Sequence, residues 1–116
     1  TDLSHLCRES GVTAQIDSAA VPPIDPNVPE FIKQGCVPGG TRENLRLAKA
    51  FTSFASNLSE EIQILLADAQ TSGGLLIAVN RDDLKQAQDV LHENGAHIVA
   101  EIGVLTDANE KSIVVS

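Results

Sequence analysis

The stretch "DAQTSGGLLIAVNRDDLKQAQDVLHENGAHIVAEIGV", residues 68–104, decides the fold. A small polar run ends in Gly73–Gly74 and passes directly into five apolar residues, Leu75 to Val79. Such a short run, apolar on both faces, reads as a central strand. "NRDDLKQAQDVLHENG" follows as the clearest helix in the chain: Asn80 can cap it, Leu84, Ala87, Val90 and Leu91 line one side, and Gly95 ends it. "HIVAEIGVL" is then a further strand, "TDANEK" a turn, and "SIVV" an edge strand. A helix of about 13 residues between two strands lets them lie parallel by a crossover, and a split arrangement is equally compatible.

Upstream, "LSHLCRES" carries Leu3, Leu6 and Cys7 at helical spacing and stops at Gly11. "VTAQID" alternates Val12, Ala14 and Ile16 against Thr13, Gln15 and Asp17, as a half-buried strand does. The Pro-rich "SAAVPPIDPNVPE" cannot sustain a regular element, and a short helix "EFIKQG" follows it. Thr41 stands where an N-cap belongs. The segment "TRENLRLAKAFTSFA" then has a helical stripe of Leu45, Ala48, Phe51 and Ala55, broadened by Leu47 and Phe54. Ser59 starts another helix, with Glu60 and Glu61 in its first turn and Ile62, Leu65 and Leu66 inward. The pattern is α/β or α+β: one layered domain over residues 1–116, with helices packed on a mixed sheet of about four strands.

Composition narrows the function classes. At 116 residues the chain suits one domain; 42% hydrophobic and 21% charged residues are ordinary for a globular protein. The net charge of −8 comes without a basic cluster, which argues against nucleic-acid and anionic-membrane partners. No apolar run approaches the roughly 20 residues that span a bilayer. Without an export signal, Cys7 and Cys36 are expected to be free thiols and the compartment to be the cytoplasm. The chain starts at Thr1 and has no Met, which fits either a trimmed initiator or a piece of a longer protein.

Two glycine pairs are the candidate ligand loops. Gly39–Gly40 precedes a helix, so "VPGGTREN" would present free amides and the positive dipole end, with Arg42 adding charge; this suits a phosphate. The competing reading is a Gly-rich turn feeding a capped helix. Gly73–Gly74 precedes a strand. There, either Thr71 and Ser72 touch a ligand or a neighbouring domain, or the glycines allow a close backbone approach. His5, His92 and His97 share no metal-ligand spacing, and neither a G-x-x-x-x-G-K-[ST] nor a G-x-S-x-G pattern occurs.

Taken together, "QTSGGLLIAV", "VPGGTRENL" and "SGVTAQID" resemble the C-terminal domain of the selenide, water dikinase (selenophosphate synthetase) family, over nearly the whole chain. That family carries D-P-Q-T-S-G-G-L-L and V-P-G-G-T-x-x-N-L; Asp68 to Leu76 match the first with Ala69 in place of Pro, and Val37 to Leu45 match the second. The "QTSGGLL" form favours this branch over the purine-synthesis and thiamine-phosphate kinase branches of the superfamily. The resemblance implies an aminoimidazole ribonucleotide synthetase C-terminal-type α/β fold. It also implies conversion of ATP, selenide and water to selenophosphate, AMP and phosphate, with magnesium, by the full-length enzyme. The reactive Cys or selenocysteine and its Lys belong to an N-terminal ATP-binding domain absent here, so Cys7 and Cys36 inherit no catalytic role. Gly39, Gly40, Thr41, Thr71, Ser72, Gly73 and Gly74 become candidates for phosphate or interdomain contact. Asp2 matches the magnesium-binding Asp of the family's T-D-V-T-G-F-G-L segment, of which only "TD" is present. No cofactor is expected on this chain alone. A stand-alone binding or scaffold module, forming a homodimer through an exposed sheet edge, is the alternative.

Overall fold

The computed structural model describes residues 2–70 and 73–116. Helix α1 (Asp2–Ser10) ends at Gly11, whose φ of 66° lies in the left-handed region that glycine enters without strain. Strand β1 (Val12–Ile16) follows, then a 3₁₀ turn at Ser18–Ala20. Helix α2 (Val28–Lys33) begins inside the Pro-rich stretch rather than after it, because Pro29 sits in the first turn, where no amide donor is needed. Helices α3 (Gly39–Ala48) and α4 (Glu60–Leu66) enclose the short strand β2 (Thr52–Phe54). A 3₁₀ turn (Arg81–Asp83) leads into α5 (Leu84–Glu93), which ends near Gly95 at φ 92°. Strands β3 (Gly103–Asp107) and β4 (Ile113–Val115) complete the sheet.

The mixed four-stranded sheet has the order β2-β4-β1-β3. Strand β4 runs parallel to both neighbours, with Ile113 opposite Ala14 on one side and Thr52 on the other. Strand β3 runs antiparallel to β1, from Val12 opposite Asp107 to Ile16 opposite Gly103. Helix α1 packs on β1 and β4, while α2 and α3 pack on α4. The core is small: Cys7, Ala14, Leu45, Ile64, Ile113 and Val115 are its buried apolar residues. The architecture is the layered α/β domain expected.

Several elements differ from the sequence reading. Leu75–Val79 is not a strand; it pairs with none of the described strands, and Leu75 is 84% exposed. The central place is taken by Ile113–Val115, both of whose edges are already paired, so "SIVV" is an inner strand and not an edge. The strand expected in "HIVAEIGVL" starts only at Gly103 and continues through Asp107 into the expected turn, and its five residues are exposed. The Leu75–Val104 unit therefore makes no parallel crossover. The expected helix through Ala55 stops at Ala48, because Thr52–Phe54, rich in β-favouring side chains, pairs with β4 instead. Within α4 the buried residue is Ile64, whereas Ile62, Leu65 and Leu66 are intermediate. Ser59 does cap α4, accepting from Ile62 N–H at 3.4 Å. The neighbouring Glu61 carboxyl is held below its usual range by a backbone amide and the Ser59 hydroxyl.

Strand β1 also departs from half-buried alternation, since Thr13 is completely buried beside Ala14. Its hydroxyl donates to the Lys111 carbonyl at 2.8 Å and accepts from Asn109 N–H at 2.9 Å, while Thr106 Oγ1 donates to the Thr13 carbonyl at 3.3 Å. One threonine thus pins the turn that delivers β4. Thr13→Val keeps the volume but orphans both turn groups, and is expected to cost about 1–3 kcal/mol. A urea titration measures it, and a loss below about 0.5 kcal/mol, the scatter of ordinary surface changes, would contradict the assigned role.

Candidate functional site

The two glycine motifs, 27 positions apart at their point of contact, meet at the start of α3. Thr41 is not the N-cap. Pro38 holds that position with extended backbone and no side-chain cap bond, so Gly39 and Gly40 open the helix and Thr41 is its third residue. There Thr41 is buried, and its hydroxyl donates to Asp68 Oδ1 at 2.9 Å. The Ala69 amide donates back to the same hydroxyl at 3.3 Å, and the Asn44 side-chain amide donates to the Ala67 carbonyl at 3.4 Å. A Cβ on Gly40 would lie 3.7 Å from that of Ala69, in ordinary contact. Next to this junction is a groove of about 310 Å³ between α2, α3 and α4, lined by Phe31, Cys36, Pro38, Thr41, Leu65 and Asp68 among others.

The second pair behaves differently from the close-approach reading. Among the described residues, nothing lies within 4 Å of a Cβ placed on Gly74, and at Gly73 the near neighbour is the Gln70 side chain, whose amide oxygen would be 2.6 Å away. A flexible side chain can swing aside, so packing against the described residues does not require glycine at either position. Gly39 likewise has open space around it. Thr71 and Ser72 lie outside the described residues.

Charge at the junction is acidic, not basic. Asp68 brings a carboxylate against the first turn of α3, where the helix dipole favours an anion. A bare phosphate at the same turn would meet that carboxylate, and like charges a few ångströms apart repel. Arg42 is exposed on α3. Arg46 is engaged by Glu43 at 2.6 Å, and this hydrogen bond holds the Glu43 carboxyl below its usual range.

Among the described residues, no group of three or more His, Cys, Asp and Glu side chains comes together. Asp2 stands exposed in the first turn of α1, the helix that packs on β1 and β4. His92 Nδ1 lies 3.1 Å from the Ala96 carbonyl, a local bond at the end of α5. Cys7 is buried and Cys36 exposed, both as free thiols. Among the described residues, no helix is long and apolar enough to cross a membrane.

Sequence reasoning read Thr41 as an N-cap, a position that Pro38 holds instead, and it passed over Asp68 and Asn44 although both stand inside the quoted motifs. The available signal was the recurrence of polar residues at the ends of two helices, α3 and α4, that have to pack together.

The chain is 39% identical over 113 residues to a selenide, water dikinase of Haemophilus ducreyi, and 37% identical over 113 residues to that of Yersinia pseudotuberculosis. With the selenide, water dikinase of Escherichia coli K12 it shares 39% over 106 residues. These matches cover 97%, 97% and 91% of this chain but only 31%, 31% and 29% of the relatives, so the chain spans less than a third of their length. All of residues 1–116 match the family described as "AIR synthase related protein, C-terminal domain", and to that family this chain belongs.

Proposed function

We propose that this chain serves as the C-terminal domain of a selenide, water dikinase and that its two glycine motifs form one wall of a cleft shared with an N-terminal ATP-binding domain. The observation that carries the reading is the junction of Thr41 with Asp68 and Ala69, because it gathers two sequence motifs of that family onto one surface. Open space around Gly39 and Gly74 among the described residues supports a role in contact with something outside this chain rather than in internal packing. The Asp68 carboxylate favours interdomain contact over direct phosphate binding at the start of α3. Phosphoryl transfer depends on positioning and charge neutralisation, and one wall supplies only part of each. ATP, magnesium and selenide are therefore handled by the joined protein, in the cytoplasm, and the isolated domain is inactive.

A second reading, a stand-alone scaffold module, draws support from β3, whose five residues are exposed along an edge open to pairing with a second copy. Sedimentation of the purified chain tests it, with a concentration-dependent dimer as the supporting result.

The dikinase reading is tested by AMP release from ATP, magnesium and selenide. The expected result is none from this chain and selenide-dependent AMP from a polypeptide that joins it to the N-terminal domain. AMP from the chain alone would refute the inactive-wall assignment, and none from the joined protein would refute the activity. Gly73→Val is expected to shift the chain's unfolding free energy by less than about 0.5 kcal/mol. In the joined protein the same change crowds the cleft wall and lowers turnover, while normal turnover would remove Gly73 from the contact surface.

A further inference from the structure

Thr41 is 1% exposed, yet both hydrogen-bonding roles of its hydroxyl are filled from the other motif. With Asn44 on the Ala67 carbonyl, three consecutive residues, 67–69, are fastened along the first turns of α3. Helix α4 ends at Ala67 with its backbone near φ −99°, so no left-handed glycine fixes the direction of the chain after it. Asp68 and Ala69 are themselves exposed. Water could satisfy their carboxylate and amide, so burial does not compel these bonds. What the hydroxyl adds is a fixed place for the strand of chain that enters the second glycine motif.

We infer that Thr41 is a positioning residue, a buried clasp that sets the course of the Asp68–Gln70 segment as it leaves α4 towards the second glycine motif. The clasp is a property of this chain; its effect on turnover rests on the cleft-wall reading above. Asp68 has the complementary part, an internal anion facing the start of α3. Thr41→Val keeps the volume and removes both bonds, whereas Thr41→Ser keeps both.

Amide hydrogen exchange of this chain by NMR is the direct test, with Ala14 and Ile113 as sheet controls because their amides donate to the Ser112 and Phe51 carbonyls. Thr41→Val is expected to speed exchange at Ala69 by about threefold to tenfold and leave the controls unchanged, with Thr41→Ser restoring the original rate. Unchanged exchange at Ala69, or an equal rise at all three amides, would overturn the inference and leave Thr41 a packing residue. If Thr41→Val fails to fold, the surface change Asp68→Ala serves in its place: faster exchange at Ala69 supports the clasp and an unaltered rate overturns it. In the joined protein, Thr41→Val is expected to lower kcat by about tenfold or more with Thr41→Ser restoring it, since small misplacements are costly in catalysis. Absence of AMP from the unsubstituted joined protein would refute the dikinase reading while the exchange result still decides the clasp.

Discussion

Strand β4 is the constraint on which the rest depends. Ile113–Val115 pairs in parallel with β1 on one side and β2 on the other, and these strands have no ladder between them. Backbone bonds continue past both ends: Ile113 N–H donates to the Phe51 carbonyl, Ala55 N–H to Val115, and Ser116 N–H to Ile16. Ile113 and Val115 also supply a third of the buried apolar side chains. A strand so short has little intrinsic preference of its own, and its place is fixed by what delivers it. Thr13, buried in β1, does so by holding the 109–111 turn. The sheet therefore closes through a side-chain contact between residues nearly a hundred positions apart.

That long-range dependence explains what the sequence could and could not convey. Local signals read correctly: Gly11 and Gly95 as terminators, Ser59 as a cap, and α1, β1 and α5 as elements. These depend on a few neighbouring residues, so the information lies within a short window. Strand order does not. "SIVV" has the same alternation whether it lies at an edge or in the middle, and "LLIAV" has the composition of a central strand although the position is filled by another segment. At Phe51–Ala55 helical spacing competed with β-favouring side chains, and the partner strand β4 settled the competition. Thr13 misled for a related reason: polarity predicts exposure only when no partner is available in the interior.

The candidate site was legible as motifs and illegible as geometry. The resemblance located the two stretches that meet, but the meeting depends on the packing of α3 on α4. That packing turns a presumed cap into a buried hydroxyl and a motif Asp into its partner. Asp2, matched by two letters of a motif, stands exposed in the first turn of α1. Apolar residues of the 75–105 region, among them Leu75, Ile98 and Leu105, remain exposed, and α5 presents no buried side chain. The buried apolar residues accordingly lie in α1, β1, α3, α4 and β4.

The two thiols divide along the same line. Cys7 is sealed on the buried face of α1 at 1% exposure, whereas Cys36 is accessible on the rim of the groove that ends at Thr41 and Asp68. A maleimide dye added to the native chain therefore attaches at one place, and that place borders the surface assigned to domain contact. The molecule carries its own labelling handle, suited to following by fluorescence how a second domain arrives.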